Sequence, residues 1–333
     1  KFAGIIAEYD PFHNGHAWQL AQAKALGAER VAVAMSCSLV QRGALPLLPE
    51  AVRTRSALTC GADLVFALPA PCACAGAEAF ARAGVALLAA AGCDGLVFGA
   101  ETPDAALLME AAELLDSGSY RAALKAQLAG GARSFAAARQ AAAAQLASDE
   151  RVAALLDKPN NNLAVEYCRA IRSLAPRMEA YPLPRQGANH GEALHSAHGQ
   201  FASASALRKL WAEGGADAVA PYVPEAVFPL YQEAYAAGQY TDFSAAGRCE
   251  LAFSGLPAGG KAPFADIRGV SEGLEHRLEA AVRTSTTYDE LLDALTTVRY
   301  PRARMRRLAM DAALGCTADS LPALPPYLHL LGG

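Results

Sequence analysis

Four short apolar runs alternate with helix-forming stretches through the first hundred residues, and this alternation constrains the fold more than any other feature. The runs cover residues 2–7, 30–35, 63–68 and 95–98, and each is short, apolar and bounded by polar or glycine-containing segments. Helical patterns fall at 16–27, 50–60 and 76–91. Gly27, Gly61 and Gly92 each stand just before the next run, where a helix should end. Repeated strand–helix order predicts an α/β protein with a parallel, doubly wound sheet and helices on both faces. Such sheets bind ligands beyond the carboxyl ends of their strands.

The later chain is less regular. Residues 104–157 are nearly continuous helix formers broken at Gly118, Gly130 and Gly131, which predicts a helical insertion rather than more sheet. Lys158-Pro-Asn-Asn-Asn162 reads as a turn before a helix over 163–174, and 178–182 as another strand. A loop at 187–200 and a helix at 204–213 follow. From about Pro221 helical patterns dominate, interrupted at 254–270. At 333 residues the chain is long enough for two domains. We place the first at 1–215 and a mainly helical second domain at 216–333.

The charge balance, 29 basic against 33 acidic side chains, gives a net charge of −4. A protein that coats nucleic acid without selectivity should be basic, so any contact with nucleic acid must be local. Glu8, Asp10 and two histidines interrupt the first apolar run, unlike a secretory signal. The runs near 85–88 and 96–98 are too short to span a bilayer, so the expectation is a soluble cytoplasmic protein with no membrane contact. The eight cysteines lack paired zinc-site spacing and read as small buried hydrophobes, with no metal site expected.

Chemistry concentrates where the first run ends. Glu8-Tyr9-Asp10-Pro11-Phe12-His13-Asn14-Gly15-His16 delivers an acidic turn, two histidines and a helix start to one place. His13 and His16 would share a face if helical. Contact with a nucleotide and its phosphates, a metal pair, and structural capping are the competing readings. In the first, Gly15 lets backbone approach the nucleotide, and the imidazoles offset charge on a reacting phosphate. The segment 35–43, with Gln41 and Arg42, follows the second strand and suits an anion, or is a solvated loop. Gly99 ends the fourth strand, where it would admit a purine or ribose. Asn160, Asn161 and Asn162 form either a turn with a cap or a nucleotide contact. Ser203 and Ser205 open a helix with Arg208 one step inside it, and Arg185 follows the strand near 178–182. Five arginines occur in Arg299-Tyr-Pro-Arg-Ala-Arg-Met-Arg-Arg307, as a basic patch for phosphate backbones or a solvated helix face.

Taken in order, the segments GIIAEYDPFHNGH, MSCSLVQRG, GADLVFALP, VFGAE, KPNNNLAVEY, SASALR, EGLEHRL and RYPRARMRRL resemble those of the bacterial tRNA(Met) cytidine acetate ligases. These belong to the HxGH nucleotidyltransferase-like enzymes. The resemblance spans residues 2 to about 308 and implies a Rossmann-like parallel sheet of that type. It implies that the chain adenylates acetate with ATP and Mg2+, releases pyrophosphate, and acetylates N4 of the wobble cytidine of elongator tRNA(Met). On matching positions, Ile5, Ile6, Ala7, Glu8, Tyr9, Asp10, Pro11, Phe12, His13, Asn14, Gly15, His16, Ala17 and Trp18 would form the core of the ATP site. Gly99, Asn160, Asn161 and Arg185 would complete it. His13, His16, Ser203, Ser205 and Arg208 would act on the triphosphate, and 299–307 would meet the tRNA. The chain departs from the family at Asp10 (usually Asn), Ser36–Leu39 (SGNF), Ala51-Val52 (Lys-Trp) and 296–301 (KTKRYT). A small-molecule adenylyltransferase and a non-catalytic nucleotide- or RNA-binding protein are the alternatives.

Overall fold

Each early apolar run becomes a strand, because β-branched and aliphatic side chains buried on both faces suit a covered parallel sheet. The computed structural model describes all residues except 133, 186–193, 197–198, 255–263 and 320–321. Strands β1 (Phe2–Ala7), β2 (Arg30–Ser36), β3 (Leu64–Leu68) and β4 (Gly95–Ala100) alternate with helices α1 (Asn14–Ala25), α2 (Glu50–Thr59), the single-turn α3 (Ala70–Ala73) and α4 (Ala77–Ala90). The helical insertion follows as α5 (Ala105–Asp116), α6 (Gly118–Ala129), α7 (Phe135–Leu146) and α8 (Glu150–Leu155). Helix α9 (Pro159–Leu174) returns the chain to β5 (Glu179–Pro184), and β6 (Leu194–Ser196) pairs with β7 (Gly199–Phe201) in a separate ribbon.

The main sheet has the order β5-β4-β1-β2-β3-β8, parallel except for β8 (Leu330–Gly332), which runs antiparallel to β3 at the edge. Strand order therefore reverses between β1 and β4. The pairing that brings β8 to the sheet edge is a tertiary contact with no local signal in the sequence.

Two apolar clusters sandwich the sheet. One gathers Phe80, Leu87, Leu88, Leu96, Phe98, Leu107 and Tyr167 with the insertion helices. The other holds Ile5, Tyr9, Phe12, Leu20 and Val33 against helices α10 (Ala204–Val219) and α11 (Phe228–Ala236). The expected division at 215–216 cuts through this second cluster, since Trp211, Ala216, Val219 and Tyr231 all lie in it. Gly215, at φ +68°, is a kink inside α10. The α/β unit extends to α11, whose Tyr231 hydroxyl donates to the Phe12 carbonyl at 2.7 Å.

A third cluster belongs to α12 (Phe243–Ser254), α13 (Leu274–Thr284), α14 (Tyr288–Leu295) and α15 (Arg302–Leu314), built on Leu278, Leu291, Leu295, Met305 and Leu308. This helical unit docks on the loop after β2. Gly43 sits there at φ +75°, and a Cβ at that position would meet the Arg307 backbone nitrogen at 2.6 Å. Gly43→Ala should therefore destabilise the fold by about 2 kcal/mol, combining left-handed strain with a backbone clash. Denaturant unfolding measures it, and an unchanged midpoint would remove the proposed close packing of α15 on the loop.

Candidate active site

The ladder between β1 and β4 is short. It joins Ala3 to Gly95 and Gly4 to Leu96 and goes no further, so the two strands part toward their carboxyl ends. The side chain of Gln19, on α1, takes over there and donates to the Val97 carbonyl at 3.1 Å. A crevice consequently opens at the reversal of strand order, where ligands of doubly wound sheets bind. Sequence reading did not single out Gln19, because a glutamine in an amphipathic helix carries no distinguishing local signal.

His13 and His16 do not share a helical face. His13 is the N-cap of α1, with extended backbone, and its Nδ1 accepts from the Gly15 amide at 3.0 Å. The His16 Nδ1 reciprocally accepts from the His13 amide at 3.3 Å. This capping box stacks the two rings with centroids 3.7 Å apart. A nitrogen that accepts is unprotonated, so each neutral ring carries its proton on Nε2. Burial pushes the His13 pKa down to about 4, with Arg185 adding repulsion. Burial, then His13 and Arg185, hold His16 well below its ordinary value. Both imidazoles are thus uncharged donors at neutral pH. Tyr9 meets His16 edge-on at 4.8 Å, and Phe12 also contacts that ring.

The structure gives Gly15 a different role from the one expected. A Cβ there would stand 2.9 Å from the His13 ring, so glycine makes room for the capping imidazole itself. The first turn of α1 contains no acidic residue, which leaves its amide end attractive to anions. Asn14 is buried and bonds the Pro221 carbonyl, at 3.3 Å. Ile5, Ala7, Tyr9 and Phe12 lie in the apolar cluster beneath the site, Ala17 and Trp18 pack at its margin, and Ile6 faces the opposite cluster. The Asp10–Pro11 peptide is cis.

The distal element does reach this place. Ser203 caps α10 by accepting from the Ala206 amide at 3.2 Å, and its hydroxyl lies 3.1 Å from that of Ser205. Arg208 crosses to the turn after β1 and donates to the Asp10 carbonyl at 2.6 Å and to Asp10 Oδ2 at 3.0 Å. Asp10 is only 3% exposed, and its Oδ1 accepts from the Leu47 amide at 2.6 Å. Burial raises the Asp10 pKa, while Arg208 opposes the rise.

Arg53 is the residue that sequence reading missed. It is 0% exposed and lies on α2. Its guanidinium donates to the carbonyls of Leu48 at 2.9 Å, Glu8 at 2.8 Å, Ser36 at 2.6 Å and also Cys37. One arginine in the amphipathic pattern of α2 looks solvated until the strand ends it joins are known.

The other expected residues divide into two groups. Gly99 is exposed at the end of β4 and lies beside the stem of Arg185, which follows β5. Their proximity, with the electrostatic effect of Arg185 on both histidines, puts them at the crevice. Asn160 and Asn161 begin α9 and hold Glu101: the Asn161 amide donates to Glu101 Oε2 at 2.6 Å, and the Asn160 side chain donates to Oε1. Asn161 is 1% exposed, with its own side chain bonded to Thr102.

Two of the five arginines of the run are paired with acids. Arg299 pairs with Glu272 at 2.6 Å, and Arg302 pairs with Asp289 at 2.6 Å and with Asp293. Arg304 lies over the Tyr300 ring, and Arg307 donates to the Gln41 carbonyl at 3.2 Å. These acids lie on α14 and in the turn before α13, so the run itself could not reveal them.

Neutral donors at a helix start, opposite an arginine from a distant helix, suit a polyphosphate, and residues 1–333 match the HIGH Nucleotidyl Transferase family from end to end. The tRNA(Met) cytidine acetate ligase of Syntrophotalea carbinolica is 36% identical over 339 residues, covering 100% of this chain and 79% of that protein. The Acetivibrio thermocellus protein of the same name is 32% identical, with 100% and 82% covered. The crystal structure of Thermotoga maritima TmcAL bound with alpha-thio ATP superposes with a TM-score of 0.85 at 28% identity, covering 96% of this chain and 76% of that one. Its apo form gives 0.87 at 29% identity, with the same shares covered. The chain belongs to the tRNA(Met) cytidine acetate ligase family.

The capping box makes a spectroscopic prediction. Nitrogen NMR of both imidazoles should report the neutral tautomer protonated on Nε2 from neutral pH down to about pH 5. Protonation of either ring near 6.5, the ordinary value, would show that burial does not control them.

Proposed function

We propose that this chain activates acetate with ATP and transfers the acetyl group to the wobble cytidine of elongator tRNA(Met). The observation that carries the reading is the convergence of His13, His16 and Arg208 at the crevice between β1 and β4. Residues 13 and 208 lie far apart in the sequence, and Arg208 reaches the turn that leads to His13 by donating to Asp10. The names and ATP-analogue complex of the relatives support the same reading.

In the first half-reaction an acetate oxygen attacks the α-phosphorus, the bond to pyrophosphate breaks, and acetyl-adenylate forms. The Nε2–H groups of His13 and His16 donate to phosphate oxygens as negative charge grows there. Arg208, Ser203 and Ser205 steady the triphosphate side, and Arg185 with Gly99 lines the nucleoside side. Neutral donors suit this task, since they need no proton exchange in order to stabilise charge. Among the described residues, no group of three or more His, Cys, Asp or Glu could hold a metal ion. Mg2+ carried on the ATP phosphates would need no such cluster and would add positive charge beside the donors of His13, His16 and Arg208.

In the second half-reaction the cytidine N4 attacks the acetyl carbonyl and AMP leaves. The helical unit carrying α12–α15 is the proposed tRNA-facing part, beside the crevice through its contact with the 37–47 loop. Acting on tRNA places the protein in the cytoplasm. Among the described residues, no helix is long and apolar enough to cross a membrane.

Incubation with ATP, labelled acetate and tRNA should yield labelled N4-acetylcytidine. His16→Ala should lower acetate-dependent pyrophosphate exchange into ATP by about 100-fold or more, the usual cost of losing one preorganised donor. Near-normal exchange would remove His16 from the phosphate site.

The paired arginines give a second test. Replacing Asp289 and Asp293 by Asn should free Arg302, tighten tRNA binding and steepen its salt dependence by roughly one counterion. Unchanged affinity across salt concentrations would move the tRNA contact away from α14 and α15.

A further inference from the structure

The attack of N4 on an acyl group requires a proton acceptor, and the side chains at the crevice supply few. Both histidines are excluded, because each Nδ1 is occupied by a backbone amide and each Nε2 carries a proton. Asp10 is excluded as well, with one carboxylate oxygen on the Leu47 amide and the other on Arg208. Glu101 has both oxygens committed to the start of α9. Glu8 differs from all of these. It stands directly after β1, where that strand parts from β4, and is half-buried. Its Oε1 accepts from the Gln41 amide at 2.7 Å, which fixes the carboxylate, while Oε2 has no partner among the described residues.

We propose that Glu8 is the general base of acetyl transfer, a role that rests on the reading of the second half-reaction given above. As N4 attacks, the new C–N bond forms at the acetyl carbon and the bond from that carbon to the phosphate oxygen breaks. AMP departs with the bonding pair. The N4 proton passes to Glu8 Oε2 and then to water. Burial raises the basicity of this carboxylate, and neighbouring Asp10 adds to the effect, while the Gln41 amide, Arg42 and Arg208 moderate it. Tyr167 of α9 lies within electrostatic reach of it, kept in its neutral form by burial and by Glu8 itself. A carboxylate raised toward neutrality is better matched to this proton than an ordinary one.

Single-turnover measurements separate the two steps. Glu8→Gln keeps an oxygen for the Gln41 amide and loses only the base. Transfer from preformed acetyl-adenylate to tRNA(Met) should fall by about 100-fold or more, and by about tenfold or more beyond any loss in acetate-dependent pyrophosphate exchange. The parent's transfer rate should rise with pH as Glu8 ionises, and that dependence should vanish in the variant. Glu8→Asp should restore part of the transfer and its pH dependence. Equal losses in exchange and transfer would assign Glu8 to adenylation, and undiminished transfer would exclude it as the base. Both outcomes overturn the proposal while leaving the tRNA reading intact. A parent enzyme that exchanges pyrophosphate but acetylates no tRNA would remove that reading, and the base with it.

Discussion

A guanidinium buried among four backbone carbonyls fastens the catalytic edge of this protein. Arg53 draws together the residue after β1, the end of β2 and the loop leading to α2. Carbonyl oxygens at strand ends have no ladder partner, and desolvating them unpaired would be costly. One planar, five-donor group satisfies several at once, which lysine could not do. Its charge is compensated nearby by Asp10, which also receives Arg208 from the far side of the crevice. The turn that presents Glu8 and His13 is therefore held between two arginines, one structural and one facing the phosphate site.

The same loop links the two units of the chain. Its residue Gln41 donates its amide to Glu8 and accepts from Arg307 of the last helix. Leu47 donates its amide to Asp10 and accepts from Thr241 just before α12. Elsewhere Arg268 pairs with Asp311 at 2.6 Å and donates to the carbonyls of Pro71 and Cys74. Two short hydrogen-bonded routes thus run from the helical unit to carboxylates of the crevice. Docking of that unit and the shape of the catalytic turn are physically continuous.

Electrostatics in the crevice favours fixed neutral donors over mobile cations. Two stacked imidazoles could not both be protonated this close together without strong repulsion, and the capping box removes the need. Positive charge comes instead from Arg185, Arg208 and the open end of α1. On the helical unit, by contrast, acids on α14 and before α13 pair with Arg299 and Arg302 of the arginine run.

Sequence alone determined the periodic part of this protein. The first four strands, the helices between them, the insertion and the histidine-bearing turn are local patterns, because burial on a strand or helix face repeats along the chain. Their family resemblance was legible for the same reason, as ordered motifs. Tertiary structure decided what each polar group does. Among the readings open for the histidines, folding adds a reciprocal cap of α1, Gly15 admits an imidazole, and Arg53 and Gln19 gave no warning of their roles. The apolar cluster that runs on from Trp211 to Tyr231 carries the α/β unit past residue 215, and no local pattern signals that packing. The arginine run looked free because its acidic partners lie at 272, 289 and 293, outside the run. Hydrogen-bond partners and counter-charges are set by which elements meet, and only folding brings those elements together.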